Sequence, residues 1–263
     1  MTEVEQLEKL LLSHIGKAVA DFKLISEGDR ILVGVSGGKD SYTLLYFLRK
    51  LQQRSPVKFD FLALKLDQGQ PGHSAESLKE YLQAEKYEYC IVRENTFEIV
   101  QQKLKKEQNK CFLCARLRRG ILYRTAVEMG FNKIALGHHL DDLIETFLMN
   151  LFFAGTTATM PPLLHSRDGS NRVIRPLCYV PEALIVEFAK QKKFPVVSCG
   201  DCGEQNNHRR KWAKSLVETL SKDIPHLRQS LLAAMGNIKP AHLLDRRHLE
   251  RNKPPGAGGM FED

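Results

Sequence analysis

The sequence predicts an α/β protein with a Rossmann-like parallel sheet, helices on both faces and a small helical C-terminal region. Strand-like apolar runs alternate with helical segments along most of the 263 residues, and parallel strands need such crossover connections. Three polar loops follow separate strand-like runs, at the position where parallel sheets hold ligands. The expected site therefore lies at the carboxyl edge of the sheet.

The elements can be assigned in chain order. Apolar residues recur at helical spacing from Val4 to Ile25 and predict an opening helix. The predicted strands are ILVGVS, FDFLALKLD, YEYCIVREN, NKIALGHH and RVIRPLCYV, and the predicted helices are SYTLLYFLRKLQQ, SAESLKEYLQAEK, DDLIETFLMNLFF and PEALIVEFAKQKK. We divide the chain into a helical segment (1–30), the main domain (31–202), a basic helical region (203–244) and a tail (245–263). The tail is charged and rich in Pro and Gly, so we expect it to be disordered.

Composition narrows the class of protein. A net charge of +8 slightly favours a polyanionic partner. The charged N-terminus does not resemble a secretory signal, and the most apolar run, TFLMNLFFAG, has about half the length of a membrane span. We therefore expect a soluble, cytoplasmic protein with no membrane partner. In that compartment the six cysteines are better candidates for metal binding or catalysis than for disulfides.

The first loop, GVSGGKDS, has the composition of a phosphate-binding loop. Asp40 follows Lys39 where the P-loop of NTPases needs Ser or Thr, and the glycine spacing is one residue short, so it is a different motif. Glycines let backbone N–H groups approach an anion, and the next helix adds its positive end. An ordinary strand-to-helix turn is the alternative. The candidate nucleotide-binding residues are Ser36, Gly37, Gly38, Lys39, Asp40 and Ser41.

A second loop, GHHLDD, carries paired carboxylates after the fourth predicted strand. Asp141 and Asp142 would lie beside the phosphates of a bound nucleotide, where Mg²⁺ is expected, and Gly137 belongs to the same loop. Their position also fits a helix N-cap with an acidic first turn. Both roles can coexist, and Asp142 is the stronger candidate for the catalytic or metal-binding carboxylate.

Two Cys-x-x-Cys pairs, CFLC and CGDC, are far apart in the sequence. Each pair can bring two sulfur atoms to one metal atom or cluster. Spacing alone favours a four-cysteine zinc site, and a redox pair is less favoured because no thioredoxin-like context precedes it. Cys90 and Cys178 lie in apolar strand-like runs and are expected in the core.

These motifs resemble a known family. SGGKDS resembles the PP-loop of the ATP pyrophosphatase superfamily, whose members transfer AMP to an oxygen of the substrate. CFLCARLRRGILYRTA, KIALGHHLDD, TMPPLL, IRPL, CGDCGEQNN and LDQGQPG are similar to the tRNA 2-thiocytidine synthetase (tRNA-cytidine 2-sulfurtransferase) family. The resemblance runs from the opening helix to about Leu244, so the domain over 31–202 would be a PP-loop domain with an inserted Cys-x-x-Cys.

The resemblance implies a [4Fe-4S] cluster held by three cysteines, which leaves one iron open for sulfide. The implied ligands are Cys111, Cys114 and Cys202, with Cys199 as the fallback for the third. The implied reaction converts cytidine 32 of tRNA into 2-thiocytidine, with ATP and Mg²⁺ adenylating its C2 oxygen. A sulfur donor such as a cysteine desulfurase and a homodimer are also implied.

Basic residues complete the implied site. By motif position Arg118 contacts ATP phosphate or substrate, and it joins Asp142 and Lys39 as the catalytic residues. The other arginines of this segment, which also need anions to balance them, are Arg116, Arg119 and Arg124. HRRKWAK, residues 208–214, is suited to RNA backbone contact and stacking, but a solvated helix face with Trp212 anchored in the core is equally compatible.

Three rival functions stay open from the sequence. A thiolase of the same kind could act on another base, such as uridine. A zinc-bearing PP-loop enzyme could adenylate a small molecule without touching RNA. An RNA-binding module without activity is least favoured, because it would not need SGGKDS and GHHLDD at strand ends.

Overall fold

The computed structural model describes residues 2–69, 76–103, 110–166, 169–196 and 204–244. In these ranges six strands form one sheet in the order β3-β2-β1-β4-β6-β5. The strands are β1 (Asp29–Gly34), β2 (Phe59–Asp67), β3 (Tyr89–Arg93), β4 (Lys133–Ala135), β5 (Leu163–His165) and β6 (Arg172–Ile174). All neighbours pair in parallel except β5 with β6. The predicted α/β class with a mostly parallel sheet is confirmed.

Helices fill the connections and the C-terminal region. They are α1 (Glu3–Asp21), α2 (Lys39–Arg54), α3 (Glu76–Ala84), α4 (Thr96–Lys103), α5 (Lys110–Glu128), α6 (Leu140–Met149), α7 (Glu182–Gln191), α8 (Glu204–Asp223) and α9 (Leu227–Gly236). A π-helical turn (Asn150–Ala154) extends α6, and a short 3₁₀ helix (Pro240–His242) follows α9. Among the described residues, no helix is both long enough and apolar enough to cross a bilayer.

The predicted elements are present but several have other bounds. Strand β6 ends at Ile174, far short of the predicted run to Val180, because Pro176 cannot continue a ladder. The edge strand β5 was not predicted, since it has only three residues and follows two prolines. Helices α4 and α5 were also not predicted; α5 has almost no segregation of apolar residues to one face. The tail 245–263 lies outside the described residues.

Two hydrophobic layers sandwich the sheet. One core cluster joins the sheet to α1, α2 and α7 and includes Leu11, Phe47, Ile31 and Phe188, all essentially inaccessible to solvent. The other face packs on α5 through a smaller cluster that includes Leu122. Burial of these apolar side chains is the main favourable contribution to folding. The first layer fixes the start of α2 at the carboxyl edge of the sheet.

Helices α8 and α9 pack on α6 rather than on the sheet. Ile144 and Leu148 of α6 meet Ala213 and Val217 of α8 in a third cluster, and Leu231 of α9 closes it. This packing turns one side of α8 toward the start of α6. The opposite side of α8 faces solvent.

The amino edge of the sheet is closed by a buried ion pair. Lys133 Nζ lies 2.5 Å from Asp29 Oδ2, with the two side chains 1% and 5% exposed. Lys133 Nζ also donates to the carbonyl of Leu24, while Asn132 and the backbone N–H of Ser26 donate to Asp29. The pair joins the first residue of β1 to the first residue of β4.

Candidate active site

The glycine loop is a tight turn between β1 and α2. Gly37 has a φ of +92°, in the region that glycine adopts without strain. Gly37 N donates to Ser41 Oγ, Gly38 N donates to Ser36 Oγ, and Ser41 Oγ donates to the carbonyl of Gly38. The loop is therefore ordered by its own hydroxyls, and it presents the N-terminal end of α2, where helices have N–H groups without intrahelical partners.

Gly137 lets the second loop approach the first. A Cβ at this position would lie 3.1 Å from the backbone carbon and oxygen of Asp40. Any side chain here would push the loop after β4 away from the start of α2. The two predicted ATP-binding loops are thus in backbone contact.

Lys39 lies in a pocket of carboxylates. Its Nζ is 3.0 Å from Asp40 Oδ1 and 3.0 Å from Glu182 Oε1, at the start of α7. Burial alone would lower the pKa of Lys39, but Asp40 and Glu182 outweigh it and raise the pKa. Burial would likewise raise the pKa of Glu182, yet hydrogen bonds from Lys214 and Lys39 lower it to about 2. Lys39 is therefore held as a fixed cation beside the loop.

The residues GHHLDD begin α6 with a capping box. His139 is the N-cap: its Nδ1 accepts from the N–H of Asp142, and Asp142 Oδ2 accepts from the N–H of His139. The two aspartates occupy the acidic first turn, so the alternative interpretation was right about the helix start and differs only in the residue that caps it. His139 Nε2 also lies 3.4 Å from Asp142 Oδ2 and 3.8 Å from Asp40 Oδ1.

The two aspartates have different surroundings. Asp141 Oδ2 accepts from the N–H of Glu182 and its Oδ1 accepts from Arg228 Nε of α9, both at 2.7 Å. Both oxygens of Asp141 are thereby used to fasten α6 to α7 and α9. Asp142 is instead held within α6 and by α8: its Oδ2 accepts from the N–H of His139, and its Oδ1 pairs with Arg210 Nη1 at 3.1 Å.

Arg210 links Asp142 to a second acid on α6. Its Nε lies 3.4 Å from Glu145 Oε2. Burial raises the pKa of Glu145 to about 7 even though Arg210 opposes the shift. Burial, with Arg175 next, lowers the pKa of His138 to about 4, so this imidazole is neutral near pH 7.

Four residues of this network were not found from the sequence. They are Glu182, Arg210, Lys214 and Arg228. Arg210 and Lys214 belong to the segment that sequence reasoning assigned to RNA or to solvent. Their i, i+4 spacing puts both on one face of α8, and that spacing is the signal that could have separated them from Trp212.

The described part of the cysteine site lies at the same sheet edge. Cys111 and Cys114 are on the first turns of α5, three residues apart, so their positions share one helix face. The thiol of Cys114 is free, and its Sγ lies 3.4 Å from Nε2 of Gln68, directly after β2. Lys65 of β2 in turn donates to the carbonyl of Ser36. Cys199 and Cys202 lie outside the described residues.

The arginines after Cys114 divide into two groups. Arg116, Arg118 and Arg119 are exposed on α5, and Arg118 follows Cys114 by about one turn. Arg124 is paired with Glu94 and with Glu128, so its charge is balanced within the protein.

The other two cysteines differ in exposure. Cys178 is fully buried, and burial raises its pKa to about 12, as expected for a core thiol. Cys90 packs half-buried against the second core cluster.

The residues present fit the metal groups that the resemblance implies. Within the described ranges no three metal-ligating side chains converge. Mg²⁺ often takes only one or two carboxylates together with substrate phosphates, and Asp142 and Asp40, on either side of His139, meet that need. A free thiol at Cys114, with Cys111 one turn away on the same helix, suits an iron–sulfur cluster.

Comparison with known proteins agrees with this geometry. A family model described as a PP-loop domain matches residues 7–215. The glycine loop and the loop that reaches it through Gly137 therefore define a PP-loop ATP-binding protein. Among solved structures the fold is similar to the U34-tRNA thiolase NcsA from Methanococcus maripaludis with its [4Fe-4S] cluster, at a TM-score of 0.71, 21% identity and coverage of 90% of this chain and 81% of that one.

Curated relatives define the family more narrowly. The tRNA-cytidine(32) 2-sulfurtransferase of Anaeromyxobacter dehalogenans is 48% identical over 246 residues, which cover 94% of this chain and 85% of the relative. The protein of the same name from Tolumonas auensis is 45% identical over 257 residues, covering 98% and 85%. The chain belongs to the tRNA-cytidine(32) 2-sulfurtransferase family and is an enzyme of the sulfurtransferase class. The family identified from the sequence motifs is confirmed.

Proposed function

We propose that this enzyme uses ATP to convert cytidine 32 of tRNA into 2-thiocytidine. The observation that carries the proposal is the meeting of three motifs at one sheet edge. Gly137 brings the loop of Asp142 against the PP-loop, and Gln68 brings Cys114 of α5 to the neighbouring strand end. Activation of an oxygen and delivery of sulfur need those parts together. The choice of cytidine 32 rests on the names of the relatives.

Adenylation is the first step. The C2 oxygen of the cytidine attacks the α-phosphate of ATP, and pyrophosphate leaves. The PP-loop residues Ser36, Gly37, Gly38 and Ser41 hold the phosphates through N–H groups and hydroxyls, and Lys39 balances their charge. Lys39 is held beside the loop between Asp40 and Glu182, and it can exchange one of these partners for a phosphate oxygen when ATP binds. Asp40, Asp141 and Gly137 complete the predicted ATP site.

Thiolation is the second step. AMP is a far better leaving group than the original oxygen, so sulfide can attack C2 and displace it. Arg118 is exposed one turn after Cys114. There it can hold a phosphate or the cytidine between the ATP-binding loops and the cysteines. A cytidine in a duplex hides C2, so the target base must be splayed out of a loop.

Two bound groups supply chemistry that side chains lack. Mg²⁺, held by Asp142, would stabilise negative charge on the phosphates. A [4Fe-4S] cluster held by Cys111, Cys114 and Cys202 would offer an open iron for sulfide, with Cys199 as the alternative third ligand. We also propose a cysteine desulfurase as sulfur donor, a homodimer and a cytoplasmic location, in keeping with a tRNA-modifying enzyme.

Nucleoside analysis of tRNA tests the substrate. In a strain that lacks this gene we expect 2-thiocytidine to disappear and to return with the wild-type gene. Intact 2-thiocytidine together with loss of 2-thiouridine would reject cytidine in favour of uridine.

Metal content tests the cluster. After anaerobic purification we expect iron and sulfide in the wild type and in Cys90→Ala, and their loss in Cys111→Ala, Cys114→Ala and Cys202→Ala. Cys90 is a matched control because it is a half-buried thiol of the core. Loss of iron and sulfide in Cys199→Ala, with retention in Cys202→Ala, would make Cys199 the third ligand in place of Cys202. Stoichiometric zinc, without iron, would overturn the cluster and favour the zinc-bearing PP-loop enzyme.

A further inference from the structure

Three aromatic side chains form an exposed cluster beside the proposed active site. Phe152 and Phe153 lie on the π-helical turn after α6, and Trp212 lies on α8. Their exposed fractions are 56%, 46% and 42%. The Trp212 ring meets Phe152 at 5.4 Å and 86°, and Phe153 at 5.2 Å and 72°. We call this set the aromatic platform.

The platform is built on fixed backbone. Gly155 ends the π-helical turn in a left-handed conformation, and Thr156 N donates back to the carbonyl of Asn150. Asn150 Nδ2 donates to the carbonyl of Ala158, which pins the following loop. Trp212 is held because Ala213, the next residue on α8, is fully buried against α6. The three rings are therefore exposed to solvent. Trp212 does not anchor α8 in the core.

The rim of the platform is basic. The guanidinium of Arg209 lies 4.9 Å from the ring centre of Phe153. Arg209 and Lys211 are exposed, and among the described residues neither forms an ion pair with a carboxylate. Arg210 and Lys214, on the other side of α8, are instead neutralised by acids of the active site. The unpaired guanidinium of Arg209 is thus at the platform, and the exposed Lys211 is next to Trp212 in the sequence.

We propose that the aromatic platform stacks unpaired bases of the RNA substrate while Arg209 and Lys211 contact its phosphates. This inference rests on the proposed function and names the surface that binds the loop around the target base. Stacking on exposed aromatic rings beside basic side chains is how proteins bind single-stranded nucleic acid. From Asp142 to Phe152 the chain rises by about 15 Å along α6, a span of roughly four stacked nucleotides. Both sites can therefore engage one loop.

A second copy of the chain suits the platform less well. The three half-exposed aromatic side chains offer roughly 300 Å² of apolar surface. A standard protein–protein interface buries about 800 Å² on each partner. The area is better matched to one or two bases than to a dimer.

The fluorescence of Trp212 tests the inference directly, because it is the only tryptophan. Addition of a tRNA anticodon stem-loop is expected to quench the emission, and a fully paired RNA of equal length at the same salt concentration is expected to quench it much less. Binding of the stem-loop in a gel-shift assay without any quenching would overturn the platform.

Variant kinetics supply the second test. Trp212→Leu and Phe153→Leu keep apolar contacts but remove the ring face, and we expect KM for tRNA to rise about fivefold to a hundredfold with kcat little changed. Trp212→Phe should restore most of the loss. Val127→Ala, an equally exposed apolar position near the amino end of β4, is the control and should leave KM unchanged.

The outcomes separate the platform from the reaction. An unchanged KM in Trp212→Leu, with normal formation of 2-thiocytidine, would reject the platform and keep the proposed function. Quenching by the stem-loop with no thiolated product would keep the platform and reject the proposed reaction. Conversion of a dimer to a monomer by Trp212→Leu in sedimentation, with unchanged RNA affinity, would assign the surface to a second copy.

Discussion

The two edges of the sheet use ion pairs in opposite ways. At the amino edge, Asp29 and Lys133 are 5% and 1% exposed, and neighbouring groups satisfy their remaining hydrogen bonds. At the carboxyl edge, Lys39, Asp40 and Glu182 are 22–31% exposed and share their charges among several partners. The Asp29–Lys133 pair needs no further partner. The group around Lys39 can exchange one partner for a ligand.

The difference separates structural charges from functional ones. Breaking a buried pair leaves an unpaired charge in a medium that solvates it poorly. A half-exposed network loses less, because water and neighbouring ions screen each member. Substitutions at the amino edge should therefore reduce stability, whereas substitutions at the carboxyl edge should reduce activity.

The largest expected effect is that of Asp29→Asn. It leaves the buried ammonium of Lys133 without its carboxylate, and we expect a loss of about 3–5 kcal/mol in the free energy of unfolding. Chemical denaturation measures it. Asp60→Asn, at an exposed position of the adjacent β2, is the control and should change stability by less than about 0.5 kcal/mol. A loss of activity without a loss of stability in Asp29→Asn would contradict the assignment of this edge.

Asp142→Asn should have the next largest effect. It keeps the shape of the side chain but removes the negative charge that we propose holds Mg²⁺, so we expect kcat for AMP formation to fall about 10²-fold or more. The midpoint of thermal unfolding should change little. Asp141→Asn offers the contrast: Asp141 fastens three helices, so this variant should lose stability as well. Full activity in Asp142→Asn would remove it from the catalytic residues.

Arg210→Met should alter the response to Mg²⁺. The substitution removes the cation that Asp142 and Glu145 share. Because Arg210 is 43% exposed, we expect the free energy of unfolding to fall by only about 1 kcal/mol. Mg²⁺ should then bind more tightly, since it no longer competes with the guanidinium. The rise in Tm on adding Mg²⁺ should exceed that of the wild type and of Lys211→Met. Equal shifts in all three proteins would show that Arg210 does not occupy the Mg²⁺ position.

The sequence located the loops of the candidate site but not the side chains that contact them. The PP-loop and GHHLDD could be found because each motif follows one strand, and strand ends in a parallel sheet meet by topology. Arg228 could not be found in this way, because it reaches Asp141 from 87 residues away on a helix that packs on α6. That contact depends on which side of α8 and α9 is buried.

The helices and strands also differ in how well the sequence predicted them. Long strands with apolar runs, such as β2, were predicted almost at their observed bounds. Helix α5 was missed because its basic and apolar residues are spread around the helix, which gives no amphipathic pattern. The spacing within 208–214 fits either stacking or core anchoring of Trp212, and only the packing of Ala213 against α6 turns the Trp212 ring outward.

Glu145 gives the smallest effect and tests how far burial, rather than charge pairing, shapes the carboxyl edge. Its pKa is raised to about 7, from an ordinary value of 4.5 that the unfolded chain retains. Between these two values the folded protein holds a proton that the unfolded chain has lost, so this group makes stability fall as pH rises from 4.5 to 7. Glu145→Gln should match the wild type near pH 5 and become more stable than it by pH 8.

Because the neighbouring Arg210 is 43% exposed, water screens this carboxylate, and we expect the gain to stay below about 1 kcal/mol. Denaturation curves at several pH values measure it, with Glu218→Gln, an exposed acid of α8, as the control. A variant that loses stability toward pH 8 would mean that the ion pair with Arg210 outweighs burial. The Arg210–Glu145 pair at the carboxyl edge would then stabilise the fold as the Asp29–Lys133 pair does, despite its greater exposure.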